Sequence, residues 1–386
     1  MRQEDHRARR IWLIEPDFNG HRLSHCAMLV RWCVDNGVDV TLATTDESLR
    51  SAQFDMFLRP LASSFETHGL GALPNQSQSG YLEWVIEQLD AIRRVARGDH
   101  IVLLEGDKLL PRLALSPKAR VRNLSILVIR TPTTLGNSLD TAAKVLAKSL
   151  FGAVCLLRGV DVAVLAPAGA ATLRYRLGPW RACPDPIGLN ATAASAREFA
   201  HAHGLDAARS WIGVYGNVVR RKNLDLALRA AAIGGARARG FLVAGVLGEA
   251  ERARCAVAMQ EFEQAGGEIV IVNRLLSDRE LDSAIMASDL AIFAHSGNGP
   301  SQILGKAVAA GTPFVAAGSR ALRTMSRRLG GGEWVRLAVP QIARAIGRQL
   351  GAPRGELVVV AGPSEFARAL LEPVVAPTVP RDRLGG

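Results

Sequence analysis

Cysteine is sparse in this sequence and badly spaced for chemistry. Of 386 residues five are cysteine, namely Cys26, Cys33, Cys155, Cys183 and Cys255. The number is odd, no two form a CxxC pair, and most lie within apolar segments. Disulfide and metal roles are therefore not expected, and reduced structural thiols in a cytosolic protein are. No apolar run approaches the roughly 20 residues of a spanning helix, and the charged first ten residues contain no signal-peptide core. A cytoplasmic protein is expected, peripheral at the inner membrane face at most. Lysine is scarce too, with six against 41 arginines. Acid is in deficit, 36 Asp and Glu against 47 Lys and Arg, for a formal charge of +11. The cations are scattered in twos and threes without interleaved aromatics, so specific nucleic-acid binding is not expected. Such a field suits an anionic substrate or an anionic membrane surface, and equally serves solubility. Internal repeats, heptads and low-complexity tracts are absent.

What is present is apolar content for two cores, 48% of the residues, in a chain longer than one core comfortably fills. Apolar runs and amphipathic stretches alternate along it. Strands are expected at 11–15, 38–43, 100–104, 125–130 and 161–165, with helices at 21–36, 81–96, after Asp107, and at 138–157. The stretch 178–189, with Pro179, Pro184, Pro186 and Gly188, resists regular structure and reads as a linker. The alternation then restarts with strands at 211–215, 240–247, 268–272, 289–294 and 313–317. Helices are expected at 224–233, 249–264, 278–287, 300–310, 340–350 and 364–371. The expected organisation is an N-terminal α/β domain over 1–180, a linker over 181–190, a second α/β domain over 191–362, and a C-terminal helix with a flexible tail over 363–386.

Two strand-to-helix turns carry candidate chemistry. After the strand at 289–294, His295-Ser296-Gly297-Asn298-Gly299-Pro300-Ser301 leads into a helix with proline near its first position. Free backbone N–H groups and the positive end of the helix dipole would there point beyond the strand's carboxyl end, which suits a diphosphate; glycine-rich turns of this kind also occur for purely structural reasons. The second turn, Gly216-Asn217-Val218-Val219-Arg220-Arg221-Lys222-Asn223, brings up to three cations to a strand's carboxyl end, where open α/β sheets bind ligands. Any of the three cations can equally be a solvated face.

These residues carry a resemblance. Residues 216–230 (GNVVRRKNLDLALRA), with the core SDLAIFAHSGNGPSQILGKAVAAGTPFVA, resemble the donor-binding half of family 4 glycosyltransferases, and NGHRLSHCAMLVRWCVDNGVDVTLAT resembles that family's opening glycine loop, first helix and second strand. The resemblance implies a GT-B fold, two Rossmann-like domains with parallel sheets facing a central cleft. It implies sugar transfer from a nucleotide-diphosphate sugar to a hydroxyl acceptor with retention, and no metal cofactor. The family's diphosphate-holding lysine falls on Lys222, while Asn217 stands in place of the arginine five residues earlier; Arg220 or Arg221 can restore that charge. The family's two glutamates fall on Asn298 and Lys306, and a lysine cannot accept the ribose hydrogen bonds that a carboxylate accepts. The implied donor-binding set is Gly20, Asn217, Arg221, Lys222, Gly297, Asn298, Gly299, Pro300, Ser301 and Lys306, with His21 and Lys222 closest to the chemistry. In retaining transfer the leaving diphosphate helps deprotonate the acceptor, so the protein's work is positioning and charge stabilisation.

Further candidates are weaker. A His21/His25 metal site has helical spacing but lacks a third ligand, and His201 and His203 point to different faces. Glu105 and Asp107 are the available carboxylates if the reaction inverts, although Asp107 also fits a helix N-cap. The helix at 138–157, with Lys144 and Lys148 one turn apart, is either a membrane-docking face or a buried helix with a polar edge. The replacements at Asn217, Asn298 and Lys306 leave a second class open, a non-catalytic GT-B protein that binds a ligand or a partner transferase. A phosphorylase or epimerase on the same fold is a third.

Overall fold

The structure is a computed structural model that describes residues 10–18, 22–74, 78–115, 123–129, 139–166, 180–233, 235–297, 301–356 and 361–375. Among the sequence candidates, Gly20, His21, Asn298, Gly299, Pro300 and the tail beyond 375 lie outside these residues, as do the side chains of Asp107 and Lys144.

The described chain divides into two compact units. The first begins β1 (Arg10–Ile14), α1 (Arg22–Asp35), β2 (Asp39–Thr44), α2 (Asp46–Leu49), α3 (Ala52–Phe57), β3 (Glu66–Gly69) and α4 (Gln78–Ala96). It continues with β4 (His100–Leu103), α5 (Gly106–Leu115), β5 (Leu124–Val128), α6 (Leu139–Leu157), β6 (Val160–Ala166) and β7 (Arg181–Pro184). All seven strands pair in parallel in the order β3-β2-β1-β4-β5-β6-β7. Burial on both faces is why these strands read as continuous apolar runs: Ile11, Leu13 and Ile14 are wholly inaccessible and Trp12 nearly so. Against them α1 lays Leu23, Cys26, Ala27, Val30 and Cys33, the 3.6-residue stripe of a core-facing helix.

The second unit holds α7 (Ala193–Ala202), β8 (Ser210–Tyr215), α8 (Leu224–Ala232), β9 (Arg239–Ala244), α9 (Glu249–Gln264), β10 (Glu268–Val272), α10 (Asp278–Ala287) and β11 (Leu290–His295). It closes with α11 (Gln302–Ala309), β12 (Phe314–Gly318), α12 (Arg320–Leu329), β13 (Gly332–Val335) and α13 (Val339–Gln349). The sheet is parallel, in the order β10-β9-β8-β11-β12-β13. Helix α10 starts on a reciprocal capping box, Ser277 accepting from the Glu280 amide and the Glu280 carboxylate accepting from the Ser277 amide at 2.9 Å.

Two doubly wound parallel sheets are the expected α/β class. Several details differ from expectation. Arg181–Pro184 lies in the stretch read as irregular and is the edge strand β7, its proline last in the strand where a missing N–H costs least. Helix α5 begins at Gly106, which puts Asp107 inside the first turn and not at the N-cap. The last helix, α14 (Pro363–Val375), belongs to the first unit and buries Phe366, Ala367, Leu370 and Leu371 completely in its core. Burial of this kind stabilises by roughly 1.5–3 kcal/mol per large side chain. Arg181 fixes its position by donating to the Leu370 carbonyl at 3.3 Å. All five cysteines are buried free thiols.

Candidate functional site

In each sheet the strand order reverses beside the first strand, between β1 and β4 in the first unit and between β8 and β11 in the second. The carboxyl ends of strands at such a switch point are where open α/β sheets take ligands.

In the second unit the site is built by two turns stapled together. After β8 the chain passes Gly216, at φ +74°, where a Cβ would fall 2.8 Å from Ile303 Cδ1 and 3.4 Å from Lys222 Nζ, so only glycine leaves the space open. One 3₁₀ turn, Arg220–Lys222, follows, and Asn223 in the left-handed region (φ 45°, ψ 53°) starts α8. The Asn223 amide nitrogen Nδ2 donates to the Ala294 carbonyl at 2.8 Å and to that of Arg221 at 3.0 Å. The Ser296 N–H also donates to the Arg221 carbonyl, at 2.9 Å. The cation-bearing turn is thereby fixed against the turn after β11, and a Cβ on Gly297 would lie 3.7 Å from Arg221 Cδ. Asn217, Arg220 and Arg221 are exposed.

Lys222 folds inward. Only 8% exposed, it donates from Nζ to the carbonyl of Tyr215, the last residue of β8. No carboxylate pairs with it among the described residues. Loss of hydration and the neighbouring Arg221 cation press its pKa down to about 7. His295 ends β11 at 4% exposure, and its Nδ1 is buried without a hydrogen-bond partner among the described residues. Burial, then the Lys222 and Arg221 cations, push this imidazole down to about 3, so it is neutral at pH 7. Together Tyr215, Lys222, Phe293, His295, Ser301 and Ile303 line a small recess of about 10 Å3. That is room for about one water-sized group, so the recess can take a single polar atom of a larger ligand. Ser301 caps α11, its hydroxyl accepting from the Leu304 amide at 3.3 Å, while its own N–H points at Met325 Sδ.

Lys306 lies deeper, 4% exposed on α11, and its ammonium is engaged within the unit. Nζ stands 2.6 Å from Asp282 Oδ1 on α10, 3.8 Å from Asp278 and 3.3 Å from the Gly188 carbonyl. The other Asp282 oxygen accepts from the Asn190 amide at 2.8 Å. Gln302 supports the same junction by donating to the Pro186 carbonyl at 2.9 Å. Lysine in place of the family's glutamate thus clamps α11 to α10 and to the 185–190 segment.

The equivalent end of the first sheet carries a carboxylate cluster of which the sequence reading singled out only Glu105. Glu15, directly after β1, is wholly buried; Glu105, just beyond β4, is 2% exposed. Arg22, in the first turn of α1, donates to Glu15 at 2.9 Å and to Glu105 at 3.2 Å, with Asp17 3.7 Å away. Tyr81 donates its hydroxyl to the second Glu105 oxygen. The second oxygen of Glu15, Oε2, is buried without a hydrogen-bond partner among the described residues. Desolvation, only partly countered by Arg22, lifts the Glu15 pKa to about 7. The signal for Glu15 was an acid at the end of an apolar strand, the same place Glu105 occupies on β4. His25 packs on Phe366 with ring centroids 5.2 Å apart, and no group of three His, Cys, Asp or Glu suited to a metal ion exists among the described residues. His201 is exposed and His203 stacks on Phe199 at 4.4 Å.

No protein-family model matches the sequence, and no curated protein matches it. Solved structures do match in fold. A sucrose-phosphate synthase from Thermosynechococcus elongatus superposes with a TM-score of 0.65 at 18% identity, covering 95% of this chain and 96% of that one. HepE of Anabaena, solved in complex with UDP and glucose, gives 0.61 at 13% identity, with 94% and 95% covered. UDP-GlcNAc 2-epimerase from Methanocaldococcus jannaschii gives 0.60 at 10% identity, with 95% and 99% covered. The chain has the GT-B fold of these proteins, two Rossmann-like units with parallel sheets, as the residue resemblance implied.

Proposed function

We propose that this protein is a glycosyltransferase that moves a sugar from a nucleotide-diphosphate sugar to a hydroxyl acceptor, with retention, and that its second unit holds the donor. The observation that carries the reading is Lys222: a buried lysine without a carboxylate partner, at the carboxyl end of β8 beside the switch point. An uncompensated buried ammonium is costly, and a diphosphate oxygen in the recess offsets that cost. Binding an anion raises the lysine's pKa, so the ligand brings a proton with it at pH 8. Arg221 adds a forked guanidinium from the exposed side, and Asn217, exposed beside it, contributes an amide. Gly297 and the cap residue Ser301 flank the donor, with Asn298, Gly299 and Pro300 assigned to the site from the family pattern alone; Gly20 and His21 carry the same standing in the first unit. Lys306 shapes the donor site through α11. HepE is solved with UDP-glucose, which makes a uridine donor the first to try.

Thermal-shift and calorimetric titration with UDP, GDP, ADP and their sugars tests the donor site. A rise in melting temperature with one nucleotide, lost in Lys222→Ala, is expected; silence across the series would sink the assignment.

One observation favours a second reading, a GT-B protein that binds nucleotide without turnover or serves a partner transferase. With Lys306 held by Asp282, the position that should accept the ribose hydroxyls offers no acceptor. Nucleotide binding without release of UDP from UDP-sugars over an acceptor panel would select that reading, and turnover would eliminate it.

A further inference from the structure

His295 lines the recess beside Lys222 and has no part in the donor contacts assigned above. Residues two apart on a strand share a face, so its ring stands on the recess side of β11 with Phe293, while Ala294 packs in the core on the other face. The ring is held in place. Phe293 meets it edge to face, with ring centroids 6.3 Å apart at 83°. The backbone behind it is pinned to the end of β12, because the Ser319 N–H donates to the His295 carbonyl at 2.9 Å. Gly318, at φ +83°, passes so close that a Cβ there would fall 2.5 Å from that oxygen.

A side chain this well fixed and only 4% exposed should have its polar atoms answered, yet Nδ1 has no hydrogen-bond partner among the described residues. Leaving a buried nitrogen unpaired costs stability, and a ligand that accepts from it removes that cost. Lys222, on the same recess, is in the same position, a buried ammonium without a carboxylate among the described residues. The recess they share is about 10 Å3, room for a single oxygen. A metal ion does not suit it, since an ammonium lines it and no group of three His, Cys, Asp or Glu suited to a metal exists among the described residues. Burial, with the Lys222 and Arg221 cations, pushes the imidazole down to about 3. A neutral ring carries one N–H, so it can donate to an anion without setting another cation against Lys222.

We propose, on the donor reading of Lys222, that His295 is a second ligand-binding residue of that site: its Nδ1–H donates to the same phosphoryl oxygen that Lys222 Nζ meets. One oxygen of the diphosphate is then enclosed between an ammonium and an imidazole, and both buried groups are answered by it.

The test is calorimetric titration of inorganic pyrophosphate, UDP, GDP and ADP into the full chain and its variants. His295→Leu removes the donor and should weaken whichever of them binds by about tenfold to a hundredfold. Asparagine hangs its amide nitrogen from Cγ, as the imidazole hangs Nδ1, so His295→Asn should stay within about threefold of the parent. Glutamine sets its amide one bond further out, so His295→Gln should fall with the leucine variant, and it replaces that variant if leucine fails to fold. Without ligand, His295→Leu should melt no lower than the parent, because it removes an unpaired buried nitrogen. A histidine that serves only the fold would give the reverse, a lower melting temperature and unchanged affinity. Unchanged affinity in His295→Leu, or an asparagine variant as weak as the leucine one, would overturn the role of His295; if Lys222→Ala still abolishes binding, the donor site stands without it. Silence of the parent toward all four ligands would overturn both.

Discussion

The two sheet ends at β8/β11 and β1/β4 occupy the same place in the topology and are furnished in opposite ways. In the second unit Lys222 and His295 are buried without a carboxylate among the described residues, and Arg221 stands at the rim. In the first unit one guanidinium, Arg22, is surrounded by Glu15, Asp17 and Glu105. A cluster whose cation already has carboxylates to answer it positions residues, even though Glu15 Oε2 has no hydrogen-bond partner among the described residues. One that leaves a cation uncompensated waits for an anion from outside. It is this difference, not the shared fold, that puts the proposed donor site at the sheet end of the second unit.

The largest effect expected to break the contrast is Lys222→Ala, which should lower kcat/KM for sugar transfer by on the order of a hundredfold without lowering the melting temperature. A steady-state comparison with the parent measures it, and an unchanged rate would erase the distinction between the two ends. Next, Lys306→Met should cost about 3 kcal/mol of stability, because it leaves Asp282 buried and unpaired; Lys306→Met/Asp282→Leu should recover most of that loss in urea unfolding. Arg22→Met should cost less, roughly 1–3 kcal/mol, since Arg22 is 20% exposed. Its cost should shrink at pH 5, where Glu15 takes up a proton and needs no cation.

The smallest and sharpest expectation is a pair of opposed pH slopes. Glu15 holds its proton up to about pH 7 in the folded chain and to about 4.5 when unfolded. Between those values the folded state binds more protons, so this residue makes stability fall as pH rises. Lys222 loses its proton at about 7 when folded and about 10.5 when unfolded. Over that range the unfolded state binds more, so stability rises with pH. Urea unfolding across pH should show the acid-side slope reduced in Glu15→Gln and the alkaline-side slope reduced in Lys222→Met.

Much of this was legible in the residues. Parallel strands buried on both faces give continuous apolar runs, so the alternation and the two strand-to-helix turns stood out, and the cation after β8 could be placed at a strand's carboxyl end. Partnerships distant in sequence could not. Asp282 precedes Lys306 by 24 positions, and nothing in either segment announces the pair. Arg22 reads as an ordinary surface arginine until Glu15 and Glu105 are brought to it by adjacent strands. The return of α14 to the first unit was hidden because an amphipathic helix does not say which core it covers. For α6, apolar residues run around the whole helix, so periodicity left docking and burial open; packing against α5 buries Gly152 and Cys155 and leaves Leu146, Leu150 and Leu157 outside.

The most direct test is calorimetric titration of UDP into the full chain at pH 8, in two buffers of different ionisation enthalpy, for the parent and for Lys222→Ala. The account predicts binding by the parent with uptake of up to about one proton, and loss of both affinity and uptake in the variant. Equal affinity in the two proteins, or binding by the parent without proton uptake, would contradict the claim that the diphosphate neutralises Lys222.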